Sequence, residues 1–236
     1  MPSPLLRALP FSLLLLVGGC APAQVRVPAD FGAEALEMKV TGISPRWSGD
    51  AILFGPYSVR RLDDGGAYRD GASVGRASFW QQWHPWAFTL TSPGQSAVDV
   101  QCEASRMALA WGDARSETEL DLTGLEGPML GCGLRRDPRA PAHTLEINRR
   151  GNRFAGELVS PSAVYRIVSL HAFEGSPITS GEPVGFEFSD RGRVVMVVDV
   201  LNQGRVLLHA GTDGRERSLL AAAATALLTA GAIDPG

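Results

Sequence analysis

One lysine, three cysteines and four histidines occur in 236 residues, and each shortage excludes something. The 22 basic side chains are arginines apart from Lys39, and 25 acids outnumber them, for a formal net charge of −3. By bulk charge such a chain is no nucleic-acid binder. His84, His143, His171 and His209 are dispersed, with no pair at i, i+2 or i, i+4, and no CxxC spacing exists. No metal site and no cofactor is therefore expected. Charged residues make up 20% of the chain against 44% hydrophobic, which excludes a disordered protein. No apolar run reaches the roughly 20 residues of a bilayer-spanning helix. Glycine (27) and proline (16) are plentiful, as in a turn-rich β protein.

The N-terminus carries one positive charge at Arg7, an apolar run from Ala8 to Val17, and then Gly18, Gly19 and Cys20. This is the pattern of a secretory signal. Val17-Gly18-Gly19-Cys20 resembles the lipobox of bacterial lipoproteins. The resemblance implies that residues 1–19 are a signal peptide removed before Cys20. It also implies that the Cys20 thiol carries diacylglycerol and that residues 20–36 are the lipidated cysteine and a tether. Residues 37–236 are then the β domain. Ala21, rather than Asp, after the cysteine implies outer-membrane sorting by the enterobacterial pattern, with the domain facing the periplasm. The alternative is an ordinary signal peptide cut near Ala21 or Ala23.

Setting Cys20 aside leaves Cys102 and Cys132, an even pair that suggests a disulfide in an exported chain. Val98, Val100 and Cys102 alternate with polar residues, and Leu130, Cys132 and Leu134 alternate with glycine. Both cysteines thus fall on the apolar face of a predicted strand. Two buried free thiols are the other reading.

Short alternating segments recur along the chain, with strands expected near residues 37–43, 52–61, 86–91, 96–103, 106–111, 117–122, 130–135, 143–149, 153–159, 163–170, 183–189, 192–201 and 204–209. Arg150-Gly151-Asn152, Asp190-Arg191-Gly192 and Asn202-Gln203-Gly204 mark the turns between three strand pairs. Nothing alternates strand with helix, so a parallel sheet is excluded. The end of the chain differs. Leu219–Ala230 is rich in leucine and alanine and has almost no polar face, so a buried apolar helix is expected over about 215–230. Asp213 and Glu216 have capping-box spacing, and Ser218 is a competing cap. The fold expected is mainly β: one antiparallel β-barrel-like domain whose narrow lumen takes the alanine-rich helix. A β-sandwich with a packed C-terminal helix is the alternative.

Many antiparallel strands followed by one apolar helix resemble the tubby C-terminal, LURP-one-related and scramblase-like superfamily. The residues that carry the resemblance are the strand pair Arg193–Val200 and Arg205–His209 and the helix Leu219–Leu228, with Trp83–Leu90 and Val164–Val168 as looser matches. It implies a twelve-stranded barrel around a central helix. No head-group motif of that family is matched, so no functional residue is carried over.

Candidate chemistry is sparse. Gly71-Ala72-Ser73-Val74-Gly75 matches G-x-S-x-G, which as a nucleophile elbow needs a strand before it and a helix after it. A Gly/Asp-rich loop before and an aromatic segment after do not supply that setting. Trp80, Trp83 and Trp86 surround Gln81, Gln82, His84 and Pro85. Trp86 continues into Phe88 and Leu90 and belongs to the core, while Trp80 and Trp83 are candidates for ligand or membrane contact or for packing at a strand entry. Arg135 and Arg136, and Arg149, Arg150 and Arg153, offer forks to anionic lipid or are solvated hairpin tips. Asp199 in the apolar run Val194–Val200 is expected to be a partly buried carboxylate bonded across a ladder.

The functional expectation is a lipid-anchored, non-catalytic protein of the bacterial cell envelope. It would be held on the membrane by its N-terminal lipid and would bind an envelope protein or an anionic lipid. An envelope hydrolase, serine- or carboxylate-based, and a purely structural lipoprotein are the alternatives.

Overall fold

The apolar alternation closes on itself. The computed structural model describes residues 22–43, 51–113, 116–123 and 127–232. A one-turn helix α1 (Ala29–Gly32) is followed by strands β1 (Ala35–Lys39), β2 (Ile52–Phe54), β3 (Tyr57–Asp64), β4 (Tyr68–Val74), β5 (Ala77–Thr91), β6 (Val98–Asp113) and β7 (Ser116–Asp121). Then come β8 (Leu130–Arg135), β9 (His143–Arg150), β10 (Arg153–Val159), β11 (Val164–Leu170), β12 (Gly185–Asp190), β13 (Arg193–Asp199), β14 (Arg205–His209) and the helix α2 (Gly214–Ala232). Twelve strands pair in the order β1-β14-β13-β12-β11-β10-β9-β8-β6-β5-β3-β2. The two ends of this row meet just beyond β1, where Thr41 and Leu53 exchange backbone hydrogen bonds of 2.9 and 3.0 Å. The result is a nearly closed antiparallel barrel, which settles barrel over sandwich.

Period-2 patterning fills the lumen. Trp86, Phe88 and Leu90 of β5, Leu130, Cys132 and Leu134 of β8, and Leu145 and Ile147 of β9 are buried, while their neighbours in sequence face outward or stay partly exposed. Cys102 and Cys132 are directly opposed in the β6–β8 ladder, with sulfurs 2.12 Å apart, so the expected pair is brought to disulfide distance. Closing a loop of about 30 residues stabilises by roughly 3.6 kcal/mol.

A helix inside a lumen has no solvent side. Leu219 to Thr229 are all buried, and α2 contacts β6, β8, β13 and β14, strands from opposite walls. Alanine at 221–224 and 226 keeps it thin. Thr225 and Thr229 return their hydroxyls to the helix carbonyls of Ala221 and Thr225, and Trp86 Nε1 donates to Thr229 Oγ1 at 3.0 Å. Asp213 caps the start, its Oδ1 accepting from the backbone N of Arg215 and Glu216. Ser218, the competing cap, instead bonds Gln95 and the Gly214 carbonyl. At 19 residues α2 is about 28 Å long. No helix among the described residues is long and apolar enough to cross a membrane.

The stretch expected to be a tether up to residue 36 is shorter as free chain. From Val25 onward it lies on the outer wall, where Val25 and Phe31 pack with Val184, Val197 and Leu207. Asp199, 2% exposed, holds it there. Its Oδ2 accepts from the Val25 backbone N and from Arg205 Nε, each at 3.0 Å, and Oδ1 accepts from Leu201 N at 3.0 Å. Arg205 Nη2 also donates to the Val25 carbonyl at 3.2 Å. The carboxylate expected across a ladder is there, and its second task is to bind this strap.

Glu187 of β12 is placed opposite Val168 and Val197, and burial pushes its pKa above the usual carboxylate range. An acid with a raised folded pKa costs stability above that pKa and not below its unfolded value. Glu187→Gln is therefore expected to raise the Tm at neutral pH by up to about 2 °C. The gap to the parent should close as the pH falls through the Glu187 titration, as followed by thermal melts across pH 4–8.

Candidate functional site

Two expected strands near 96–103 and 106–111 are one strand, β6, and the strand expected at 86–91 begins at Ala77. The β5–β6 hairpin is therefore far longer than the wall it belongs to. Its lower half sits in the barrel between β3 and β8. Its upper half runs past the rim and takes β4 on one side and β7 on the other. This makes a four-stranded flap, β4-β5-β6-β7, standing beyond one end of the barrel.

The register sorts its side chains onto two faces. Tyr68 is opposite Trp83, Ala72 opposite Phe79, and Val74 opposite Ala77. Across the hairpin, Ala77 is opposite Trp111 and Phe79 opposite Leu109, while Leu109 in turn is opposite Leu120. Directly paired residues share a face. One face thus carries Tyr68, Ala72, Val74, Phe79, Trp83, Leu109, Trp111 and Leu120. Tyr68 (52%), Val74 (82%), Phe79 (40%), Trp111 (45%) and Leu120 (48%) are exposed, half of the ten exposed large hydrophobic residues described in the chain. Together they leave on the order of 500 Å² of apolar surface, at the upper end of what a monomer carries without a partner. Asp70 opposite Gln81 is the polar row between the apolar tip and the stacked pair Tyr68–Trp83, whose rings are 5.3 Å apart.

The other face is polar and internally paired. Trp80 is 7% exposed there, with the Arg69 guanidinium 3.8 Å from its ring centre and that of Arg106 at 5.2 Å. Arg106 Nη2 bonds Glu119 Oε1 at 2.8 Å, and Arg149 reaches Asp121 at 3.5 Å. Near the root of the flap His84 Nε2 meets Asp64 Oδ1 at 2.5 Å. The Gly66 backbone N–H and the His84 hydrogen bond hold the Asp64 carboxyl below the usual range. The flap is an amphipathic sheet.

Trp80 and Trp83 therefore take opposite faces. Trp80 is withdrawn between arginines, and Trp83 is half-buried beside a cleft of about 170 Å³ with Gln81, Met107 and Pro128. Arg135 and Arg136 are not part of this surface. Arg135 is opposite Asp99, six residues and roughly 20 Å of strand from Ser105, the partner of Trp83. Arg136 is half-buried at the far end of the barrel, where desolvation and Arg215 lower its pKa. Trp80 and Trp83 thus sit at the opposite end from Arg135 and Arg136, whereas Arg149, with Arg150 and Arg153 in the same β9–β10 hairpin, is at the flap end. Cys20 lies outside the described residues.

The G-x-S-x-G stretch is β4 and its turn. Gly75 has φ +63° and joins β4 to β5, and a Cβ on Gly71 would meet the Phe79 carbonyl at 2.5 Å. Gly71 serves the close approach of two strands and Gly75 the turn, and Ser73 is opposite Ser78 in a strand–turn–strand. No helix follows it, so the geometry of a nucleophile elbow is absent. His209 bonds Glu34 at 2.8 Å, and His171 lies between Ser169 and the Ser180 carbonyl.

Sequence reasoning missed Tyr68, Val74, Phe79, Trp111 and Leu120. Met107-Leu109-Trp111 alternates visibly, but which face stays uncovered depends on the register of four strands. The fold defines a class: a β-barrel filled by its own C-terminal helix and carrying an amphipathic flap. Comparison with family models, with curated proteins and with solved structures finds no match to this chain.

Proposed function

We propose that this chain is a lipid-anchored protein of the bacterial cell envelope that works by binding, not by catalysis. The observation that carries the reading is the uncovered apolar face of the flap, which gathers five of the ten exposed large hydrophobic residues described. The filled lumen supports it, since α2 occupies the space in which a barrel would hold a ligand. The Val17–Cys20 sequence supports the anchor, and Ala21 supports an outer-membrane location facing the periplasm. Twelve barrel strands around a terminal helix support kinship with the tubby-like and scramblase-like superfamily at the level of architecture. The partner reached through the flap is an envelope protein or a lipid. Cys20→Ser tests the anchor. The parent is expected in the membrane fraction with an acylated N-terminal cysteine in its mass spectrum, and the variant in the soluble fraction. A variant that stays acylated and membrane-bound overturns it.

A further inference from the structure

We infer that the apolar face of the flap lies in the interface of a lipid bilayer, the same bilayer that holds Cys20. The inference rests on the anchor proposed above and adds a second, non-covalent contact. Three observations point to a bilayer as the occupant. The first is where the described chain begins. Asn202 Nδ2 donates to the Ala23 carbonyl at 2.9 Å, and Val25 is held by Asp199 and Arg205. Cys20 is three residues from Ala23, no more than about 11 Å of extended chain. The β13–β14 turn that carries Asn202 is at the flap end of the barrel. β6 runs upward into the flap, and following the ladder through β8, β9, β10, β11 and β12 brings Asp199 to that same end. An acyl chain on Cys20 therefore keeps the flap end within about a nanometre of the lipid surface.

The second observation is the two-faced chemistry of the flap. Arg69, Arg106, Glu119 and Asp121 are on one face and are matched by neighbours on that face or, for Asp121, by Arg149 of β9. The other face has two rows of apolar side chains at the tip, Val74-Ala77-Trp111 and Ala72-Phe79-Leu109-Leu120. A surface charged on one side and apolar on the other settles in the plane of the headgroup boundary. The third is composition. The exposed face presents Trp111, Trp83, Tyr68 and Phe79, and tryptophan and tyrosine are the residues that favour the membrane–water boundary. The face has no arginine or lysine among these residues, so contact with neutral lipid is expected and anionic lipid is not required.

The test uses the full acylated protein, purified from membranes and reconstituted in phosphatidylcholine vesicles with or without brominated acyl chains. Tryptophan emission is expected to fall by a third or more with brominated lipid. In a background carrying Trp47→Phe, which leaves four of the five tryptophans, Trp111→Phe combined with Trp83→Phe is expected to remove most of that loss, since Trp80 and Trp86 are buried on the other side of the sheet. Val74→Asp with Leu120→Asp, both at exposed positions, is expected to keep the fold by circular dichroism and to lower quenching at least threefold. An acylated parent that is unquenched overturns the flap contact and leaves the anchor standing. A chain without acylation that is still quenched overturns the anchor and leaves the flap contact standing, and a chain with neither removes both. A protein adduct formed at Trp111 by photo-cross-linking in cells, without lipid quenching in vesicles, assigns the face to a protein partner and overturns the inference.

Discussion

Leu220→Ala is expected to lower the unfolding free energy by about 3–5 kcal/mol, read by urea or guanidinium unfolding of the oxidised chain. Leu220 is fully buried in the first turns of α2, and a cavity there is bounded by barrel walls that cannot collapse inward without breaking ladder hydrogen bonds. The cost should therefore be near the top of the range for such substitutions. The opposite change, Ala222→Leu, puts extra methylenes into a filled lumen and is expected to cost about 1–3 kcal/mol. Val74→Ala in the flap, 82% exposed, is the control and should change stability by less than about 0.5 kcal/mol. Equal small effects for all three would show that α2 is not a core element.

The second large effect is expected at Asp199. Removing its carboxylate leaves Arg205, 12% exposed, without its closest charge partner and leaves the Val25 amide without an acceptor. Asp199→Ala is expected to cost about 2–4 kcal/mol, because Arg205 keeps only the more exposed Glu37, 3.4 Å from its Nη1, as a charge partner while the Val25 amide loses its acceptor. The double variant Asp199→Leu/Arg205→Met should recover much of that loss. The single variant should also expose residues 22–34 to protease, while the β13–β14 ladder stays protected. Protease resistance of that segment in Asp199→Ala would mean that Val25, Phe31 and their apolar contacts hold the strap alone.

Much of the architecture was legible because it depends on local periodicity. Trp86-Phe88-Leu90 and Leu145-Ile147 declare their buried face by alternation, and Leu219–Leu228 declares a helix with no polar side. Cys102 and Cys132 were legible as a pair because both fall on apolar faces. Strand limits were less so. Ile52–Phe54 and Tyr57–Asp64 read as one segment, although Gly55, with φ +51°, turns the chain between them. Val98–Asp113 read as two segments, because Glu103–Arg106 breaks the apolar alternation where β6 crosses from barrel to flap. At that crossing the same strand changes partner from β8 to β7, an event with no local signature.

The candidate site was only partly legible. The Trp80–Trp86 cluster pointed to the right hairpin, yet the alternation that puts Trp83 on the apolar face turns Trp80 to the other, under Arg69 and Arg106. Arg135 and Arg136, candidates for anionic lipid by their chemistry, are at the far end of the barrel. The sequence by itself determined a mainly β chain with an internal helix and a paired Cys102 and Cys132, since periodicity, propensity and cysteine parity are local properties. The tertiary structure alone decided that the sheet closes as a barrel, that β5 and β6 outrun it, and that Val74, Phe79, Trp111 and Leu120 come together on one uncovered face. Exposure is a property of what does not pack against a residue, and strand register and ring closure set that between segments far apart in the chain.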